Sequence, residues 1–327
     1  MSPTELAADE STVAPGFVSI IMPMLDASRF LSRSLPPLVE IVEHDTAVEL
    51  ILVDNGSRDG TPELARSLVH GRARILHAPA RTVAGVRNAG AAVARGNFLA
   101  FIDADCVAQP GYVAGVRSAF ERDSVAASGC IYDLPPDPSW VERAWHRLHA
   151  RMSAGPRPYL NGGNLVVRRD AFEQVRGFDE SLVTGEDADL GERIRRAGWE
   201  VWQSPSIRVC HLGNPVDVGG FFRKQVWHGL GPLQFDRPTL MALVHGVLLV
   251  LGAAGLVGGL LRRSPSLIVG GLLAVNAMPA VAVLFRAVQG GWHWPPLGGL
   301  PLYHLYLLAR LQALRLLLLG RTTGHRA

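Results

Sequence analysis

Three groups of polar residues are spaced for chemistry. The first closes Phe98-Leu-Ala-Phe-Ile-Asp-Ala-Asp-Cys106, where an apolar run ends in Asp103 and Asp105. Side chains alternate faces along a strand, so this spacing predicts both carboxylates on one side. Neighbouring anions repel. Their best use is to hold a divalent cation, directly or through water, that bridges a diphosphate, and hard oxygen ligands suit Mg2+ or Mn2+. The second group, Glu186, Asp187 and Asp189, crowds one turn at the start of a predicted helix with Leu190, Ile194 and Ala197 as its buried stripe. One acid there would answer the helix dipole, and three exceed what capping needs. The third group, Asp54-Asn55-Gly56, closes another apolar run. It either accepts hydrogen bonds from a base or ribose, or forms a simple turn with an N-cap.

The elements around these groups alternate. Apolar, β-rich runs at 16–23, 48–54, 73–78 and 97–103 are separated by helical patterns at 28–44, 61–71 and 84–96. Pro36 and Pro37 mark a possible kink in the first helix. Thr61 is read as the N-cap of the second, with Pro62 at its first helical position. Strands and helices in this order predict βαβ units, hence a mostly parallel sheet with helices on both faces. Such sheets bind ligands beyond the carboxyl ends of their strands, where Asp54 and Asp103 fall.

The last ninety residues differ in kind. Residues 238–327 contain no Asp or Glu and seven Arg, whereas residues 1–237 hold 25 basic against 29 acidic residues. The pI near 9.0 is therefore a property of the tail. A mildly acidic remainder argues against nucleic acid as a partner. Segments 239–261 and 264–285 carry no charge, and each exceeds the roughly 20 residues that cross a bilayer as a helix. Arg262 and Arg263 lie between them, and small residues from Gly252 to Gly259 would allow close helix packing. A third apolar segment, 300–320, includes Arg310 and Arg315; it either spans or lies in the interface. Cys106, Cys130 and Cys210 lack metal-ligand spacing and are read as reduced, buried thiols. Residues 1–16 are polar, without the apolar core of a signal peptide, and are read as a disordered lead.

Taken in order, Val18–Ala27, Val53–Thr61, Arg87–Cys106, Asn161–Glu180 and Gly185–Trp199 resemble a family 2 glycosyltransferase of the GT-A fold. The resemblance covers about residues 18–230. It implies an α/β, Rossmann-like domain and an inverting transfer of a sugar from a nucleotide diphosphate donor, with Mg2+ or Mn2+ as cofactor. It also implies roles. Pro23, Met24 and Asp26 match the loop that wraps the nucleotide, although Leu25-Asp26 stands where many members have Tyr-Asn. Asp54 and Asn55 match the pair that reads base and ribose, and Arg87 a position near the donor phosphates. Asp103 and Asp105 match the metal-holding D-x-D, with His211 as a further ligand. Gly162, Gly163 and Asn164 match the strand beside the donor sugar. Asp187 matches the general base, with Glu186 orienting the acceptor. The segment 221–229 resembles the Q-x-x-R-W segment of processive members, but with the order altered. It is alternatively an amphipathic interfacial helix with Phe221, Phe222 and Trp227 against lipid, and Trp227 is placed on the acceptor side.

The expected organisation is a lead (1–16), a GT-A domain (17–215), an interfacial linker (216–237) and a membrane region (238–327) with two to three hydrophobic helices. The expected activity is sugar transfer to a lipid-linked glycan or glycolipid at the cell membrane, from a cytoplasmic catalytic domain. Two alternatives stand beside it: a polyprenyl-phosphate sugar transferase, and a silent nucleotide-sugar-binding scaffold.

Overall fold

The computed structural model describes residues 16–80, 82–130, 132–149, 153–230, 237–289 and 298–320. In chain order the elements are β1 (Val18–Met24), α1 (Ser28–His44), β2 (Val48–Asp54), α2 (Thr61–Val69), β3 (Arg74–His77), α3 (Val83–Val93), β4 (Phe98–Ile102), β5 (Cys106–Ala108), α4 (Tyr112–Ala119), β6 (Val125–Gly129) and α5 (Trp140–His149). Then follow β7 (Gly155–Pro156), β8 (Asn164–Arg168), α6 (Arg169–Gln174), α7 (Glu186–Arg196), β9 (Glu200–Gln203), β10 (Val209–His211), α8 (Val218–His228), α9 (Arg237–Arg262), α10 (Pro265–Gln289) and α11 (Gly299–Leu318). The chain divides into two compact units. The first holds the described residues up to Cys130 with Ala154–Asp179 and Asp187–Val209. The second holds those of 131–153, 180–186 and 210–320.

The first unit is built on an eight-stranded sheet of order β3-β2-β1-β4-β8-β6-β9-β7. Strands β3, β2, β1 and β4 are parallel, β8 runs against both β4 and β6, and β9 returns parallel to β6. The predicted alternation of strands and helices is present, and every residue of β2 and β4 is buried. That is why those runs are continuously apolar instead of alternating. Pro23 does not end β1. It lies beyond the last β1–β4 pair, Ile21 with Phe101, where β1 keeps only β2 as a neighbour, an edge-like position that tolerates proline.

Helix α1 runs through Pro36 and Pro37 as one element. Two local expectations are corrected. Thr61 is the first residue of α2, not its cap; the cap is Gly60 in the left-handed region. The Thr61 hydroxyl instead donates to Asp59 Oδ1 (2.5 Å) and accepts the Ala27 N–H (2.8 Å), tying two loops together. Helix α7 ends at Arg196, so Ala197 lies beyond it and is exposed, while Leu190 and Ile194 are fully buried.

In the second unit, α8 packs Phe221 inward at 1% exposure, against Val141 and Ala144 of α5 and Leu302 of α11. Its ring meets Trp145 edge-on at 4.8 Å. The expectation that Phe221 faces lipid is therefore wrong: α5, which the sequence did not single out, takes that face. Helices α9 and α10 pack closely, as the small residues predicted. A Cβ on Gly252 would lie 2.8 Å from the Gly271 carbonyl oxygen. The stretches Pro238–Arg262 and Pro265–Arg286 are long and apolar enough to cross a membrane, with mean hydropathies of 2.4 and 2.2.

Candidate active site

Parallel order decides where the site can form. In β2, β1 and β4 the carboxyl ends lie side by side, so the residues after Met24, Asp54 and Ile102 share one edge of the sheet. Strand β8 pairs Asn164 with Ile102 in the opposite sense, which brings its leading residues, Gly162 and Gly163, to that same edge.

The loops after β1 and β2 are bonded to one another. Asp26, at a positive φ of 46°, accepts the Arg58 N–H on Oδ1 (2.7 Å), and its own N–H donates to Ser57 Oγ (3.0 Å). Asp54 is 3% exposed; its Oδ2 accepts from Gly56 N–H (3.1 Å) and lies 3.0 Å from His77 Nδ1, and its Oδ1 accepts from Ser57 N–H (3.2 Å). Burial pushes the Asp54 carboxyl up, but the bonds from Ser57, His77 and Gly56 outweigh it and hold it below the usual range. Burial likewise raises Asp59, yet bonds from Thr61 and Ser28 bring it down to about 2. Asn55 Oδ1 accepts from Ala80 N–H at 2.7 Å, so its carbonyl braces the loop after β3. His77, Ser57 and Asp59 were not predicted. The turn residues signalled a loop; the β2–β3 register, which pairs Asp54 with His77, makes the His77 contact, while Ser57 and Asp59 act within the loops after β1 and β2.

Asp103 and Asp105 lie past the end of β4, in a turn closed by Cys106 N–H to the Asp103 carbonyl (2.9 Å). Strand alternation stops at Ile102, so this turn sets their positions, a correction to the strand argument. Both are half-buried and offer hard carboxylate oxygens, a donor set that fits Mg2+ or Mn2+. Asp103 Oδ1 accepts from Arg87 Nη2 at 2.8 Å, and Arg87 is itself 3% exposed. Thr82 caps α3, accepting from Gly85 N–H, and so aims Arg87 from its second turn.

A bonded path runs from this turn to the acidic helix. Asp103 N–H donates to the Gly163 carbonyl (3.2 Å). A Cβ on Gly162 would sit 2.8 Å from Arg87 Nη1, so the guanidinium lies over a position only glycine can fill unchanged. Gly162 N–H in turn donates to Asp187 Oδ2 (3.0 Å), while Asp187 Oδ1 accepts from Ala188 N–H (2.8 Å). Asp189 is engaged otherwise, by Arg193 at 2.6 Å. Asn164 is fully buried, donating to the Ile207 and Cys130 carbonyls (2.9 and 3.3 Å) and accepting from Tyr112 OH (3.4 Å). Its side chain builds the scaffold and is not offered to a ligand, contrary to expectation.

Three predicted residues belong to the second unit. Glu186 opens α7 and is 7% exposed. His211 is buried, stacks on Tyr132 at 4.6 Å, and holds Asn214 Oδ1 with Nδ1 at 2.8 Å. Trp227 is half-buried on α8, edge-on to His228 at 4.9 Å.

Comparison with known proteins follows the same lines. The model of "Glycosyl transferase family 2" matches residues 19–176, and that of "Glycosyl transferase family group 2" matches residues 98–295. The chain is 28% identical over 234 residues to glycosyltransferase AglE of Haloferax volcanii, covering 68% of this chain and 76% of that one. It is 26% identical over 270 residues to the pre-mycofactocin glycosyltransferase of Mycobacterium tuberculosis, covering 77% of this chain but 55% of that protein. It is 29% identical over 204 residues to an N-acetylglucosaminyl-diphospho-decaprenol L-rhamnosyltransferase of the same organism, covering 50% and 66%. Among solved structures, a mannosyltransferase from Pyrobaculum calidifontis in complex with GDP-Man and Mn2+ aligns with a TM-score of 0.59 at 17% identity, over 93% of this chain and 88% of that one. That likeness establishes the GT-A fold. With two family models spanning the sheet and the acidic helix, the chain belongs to the family 2 glycosyltransferases.

Proposed function

We propose that this glycosyltransferase moves a sugar, with inversion, from a nucleotide diphosphate donor to a membrane-associated acceptor, a lipid-linked glycan or glycolipid. The reading rests above all on one observation: the Asp187 carboxylate is held by Gly162 N–H at the edge where the Asp103–Asp105 turn also lies. Asp187 takes the proton of the acceptor hydroxyl as that oxygen attacks the anomeric carbon from the face opposite the diphosphate. A positioned carboxylate contributes roughly 10²–10⁴-fold. Glu186 orients the acceptor. Asp103 and Asp105, with His211, would hold Mg2+ or Mn2+, which when bound supplies positive charge to the leaving diphosphate. Arg87 fixes Asp103 and adds a second positive charge near the phosphates. The loops of Pro23, Met24, Asp26, Asp54 and Asn55 bind the nucleotide, the Gly162–Gly163 segment lies beside the sugar, and Trp227 stands on the acceptor side.

A GT-A domain of about residues 17–215, an interfacial segment 216–237 and a membrane region 238–327 complete the proposal, with the catalytic domain cytoplasmic. The two long apolar helices support a membrane anchor. The name of the decaprenol-dependent relative supports a lipid-linked acceptor. The test is a donor screen. Purified protein in detergent is titrated with UDP-, GDP- and dTDP-sugars, with Mn2+ or Mg2+, against Asp105→Ala. Metal-dependent binding of one donor, lost in the variant, is expected. No binding of any donor, with or without metal, overturns the reading.

A further inference from the structure

The carboxylate at the end of β2 is filled from within the chain. Asp54 is buried, and both of its oxygens are engaged. Oδ1 accepts from Ser57 N–H (3.2 Å) and Oδ2 from Gly56 N–H (3.1 Å). His77 Nδ1 lies 3.0 Å from Oδ2, and the Ser57 side chain bonds the carboxylate as well. A carboxylate offers about four lone-pair sites, so a base or ribose reaching Asp54 would have to displace one of these donors. Asn55 is spent in part. Its Oδ1 accepts from Ala80 N–H (2.7 Å), whereas its Nδ2 has no hydrogen-bond partner among the described residues.

What remains on offer is the far side of the His77 ring. The β2–β3 register sets His77 opposite Asp54 as the last residue of β3, at the same carboxyl edge. The His77 side chain is 68% exposed against 5% for Asp54, so the ring bridges a buried anion and solvent. The bonds on Asp54 hold its carboxyl below the usual range, so it is ionised at neutral pH and only accepts. His77 Nδ1 therefore carries the proton of their contact, and in the neutral imidazole Nε2 is left as a bare acceptor. Nε2 has no hydrogen-bond partner among the described residues. One edge of the sheet thus presents an acceptor, His77 Nε2, and a donor, Asn55 Nδ2. Such a pair complements a ring N–H with a carbonyl beside it. The imide of uracil or thymine and the lactam of guanine have that arrangement. Cytosine and adenine carry a bare ring nitrogen at the same position, which would face the Nε2 lone pair.

We propose that His77 Nε2 accepts the ring N–H of the donor's base, with Asn55 Nδ2 donating to the carbonyl beside it, so that His77 selects uracil, thymine or guanine over cytosine and adenine. Asp54 then acts one step back, as the positioning residue that fixes the His77 tautomer and ring. The inference rests on the nucleotide-donor reading above, but not on Asp187 or on the acceptor.

The experiment titrates the full chain in detergent, with Mn2+ at about pH 8, above the ordinary imidazole range. UDP is compared with CDP, and GDP with ADP, so that ring size is constant within each pair. UDP or GDP is expected to bind about tenfold or more tightly than its amino counterpart. His77→Asn puts an amide nitrogen near the place of Nδ1, which keeps the Asp54 contact, and leaves nothing at Nε2. It is expected to remove the preference while the melting temperature stays close to that of the wild type. His77→Gln, whose amide oxygen reaches about as far as Nε2, is expected to retain part of the preference. The ratio is read within one variant, so a general loss of affinity does not obscure it. Equal binding within both pairs in the wild type, a preference for CDP or ADP, or a preference left intact by His77→Asn overturns the inference and leaves the proposed function standing. So does the loss of all four nucleotides in both variants, because His77 would then serve only to hold Asp54. A wild type that binds no nucleotide, with or without metal, overturns both readings.

Discussion

Gly162 N–H donates to Asp187 Oδ2 at 3.0 Å, and the same glycine lies beneath the Arg87 guanidinium that holds Asp103. One backbone position thus braces an acid on helix α7 and faces the arginine that partners the acidic turn after β4. The two carboxylates are 84 residues apart in sequence but joined in space by three contacts, through Arg87 and Gly162.

Asp187→Asn keeps the size of the side chain and one of the two oxygens that accept from Gly162 and Ala188, and it removes the base. Transfer to a hydroxyl acceptor should fall by about 10²-fold or more, with donor affinity unchanged. Single-turnover rates and donor titration check this. Near-full activity would instead favour an acceptor that arrives deprotonated, such as a lipid phosphate.

Gly162→Ala places a methyl 2.8 Å from Arg87 Nη1. The guanidinium must shift, at a cost of about 1–3 kcal/mol, and the Asp103 contact shifts with it. A lower melting temperature and a reduced kcat are expected together. In an Arg87→Met background, where the crowding is gone, Gly162→Ala should lower the melting temperature little further than Arg87→Met alone, and kcat should stay low.

Arg87→Met removes the partner of Asp103 from a buried position. Arg87 is 4% and Asp103 34% exposed at the side chain, so solvent screens part of the effect. A loss of about 1–3 kcal/mol is expected. Arg87→Lys should recover little, because a point charge cannot keep the planar contact over Gly162. Denaturant unfolding of the detergent-solubilised protein measures both.

Asp54 has a folded pKa below its unfolded value of about 3.9. Its contribution is therefore complete above the unfolded value and is lost as pH falls through the folded one. Comparing the melting temperatures of wild type and Asp54→Asn should give a difference that is largest above about pH 5 and narrows below about pH 4. A difference that grows toward low pH would contradict the bonding found here.

Chelation with EDTA should abolish sugar transfer, and added Mn2+ or Mg2+ should restore it in the wild type but not in Asp105→Ala. Isothermal titration of the metal, with nucleotide diphosphate present, separates lost metal binding from lost chemistry.

Much of this architecture is legible locally. Apolar runs ending in acids marked the strands β2 and β4, because a parallel strand covered on both faces must be apolar throughout. Uncharged stretches of membrane length marked α9 and α10. Errors arose where a neighbour, not the local pattern, decides the outcome. Thr61 has the composition of a cap, yet Asp59 and Ala27 claim its hydroxyl. Phe221 has the look of a lipid contact, yet α5 covers it. Asp103 and Asp105 have strand spacing, yet a turn begins at the strand's end.

The sequence by itself determined the order of strands and helices, the acidic positions at the strand ends and the apolar character of the tail. These follow from periodicity and from the desolvation cost of each side chain, which neighbours in sequence report. Only the tertiary structure decided which atoms meet: His77 with Asp54, Arg87 with Asp103, Gly162 with Asp187 and His245 with His304. Those pairings depend on sheet register and helix packing, which bring residues 16 to 59 positions apart into contact. No local spacing encodes them.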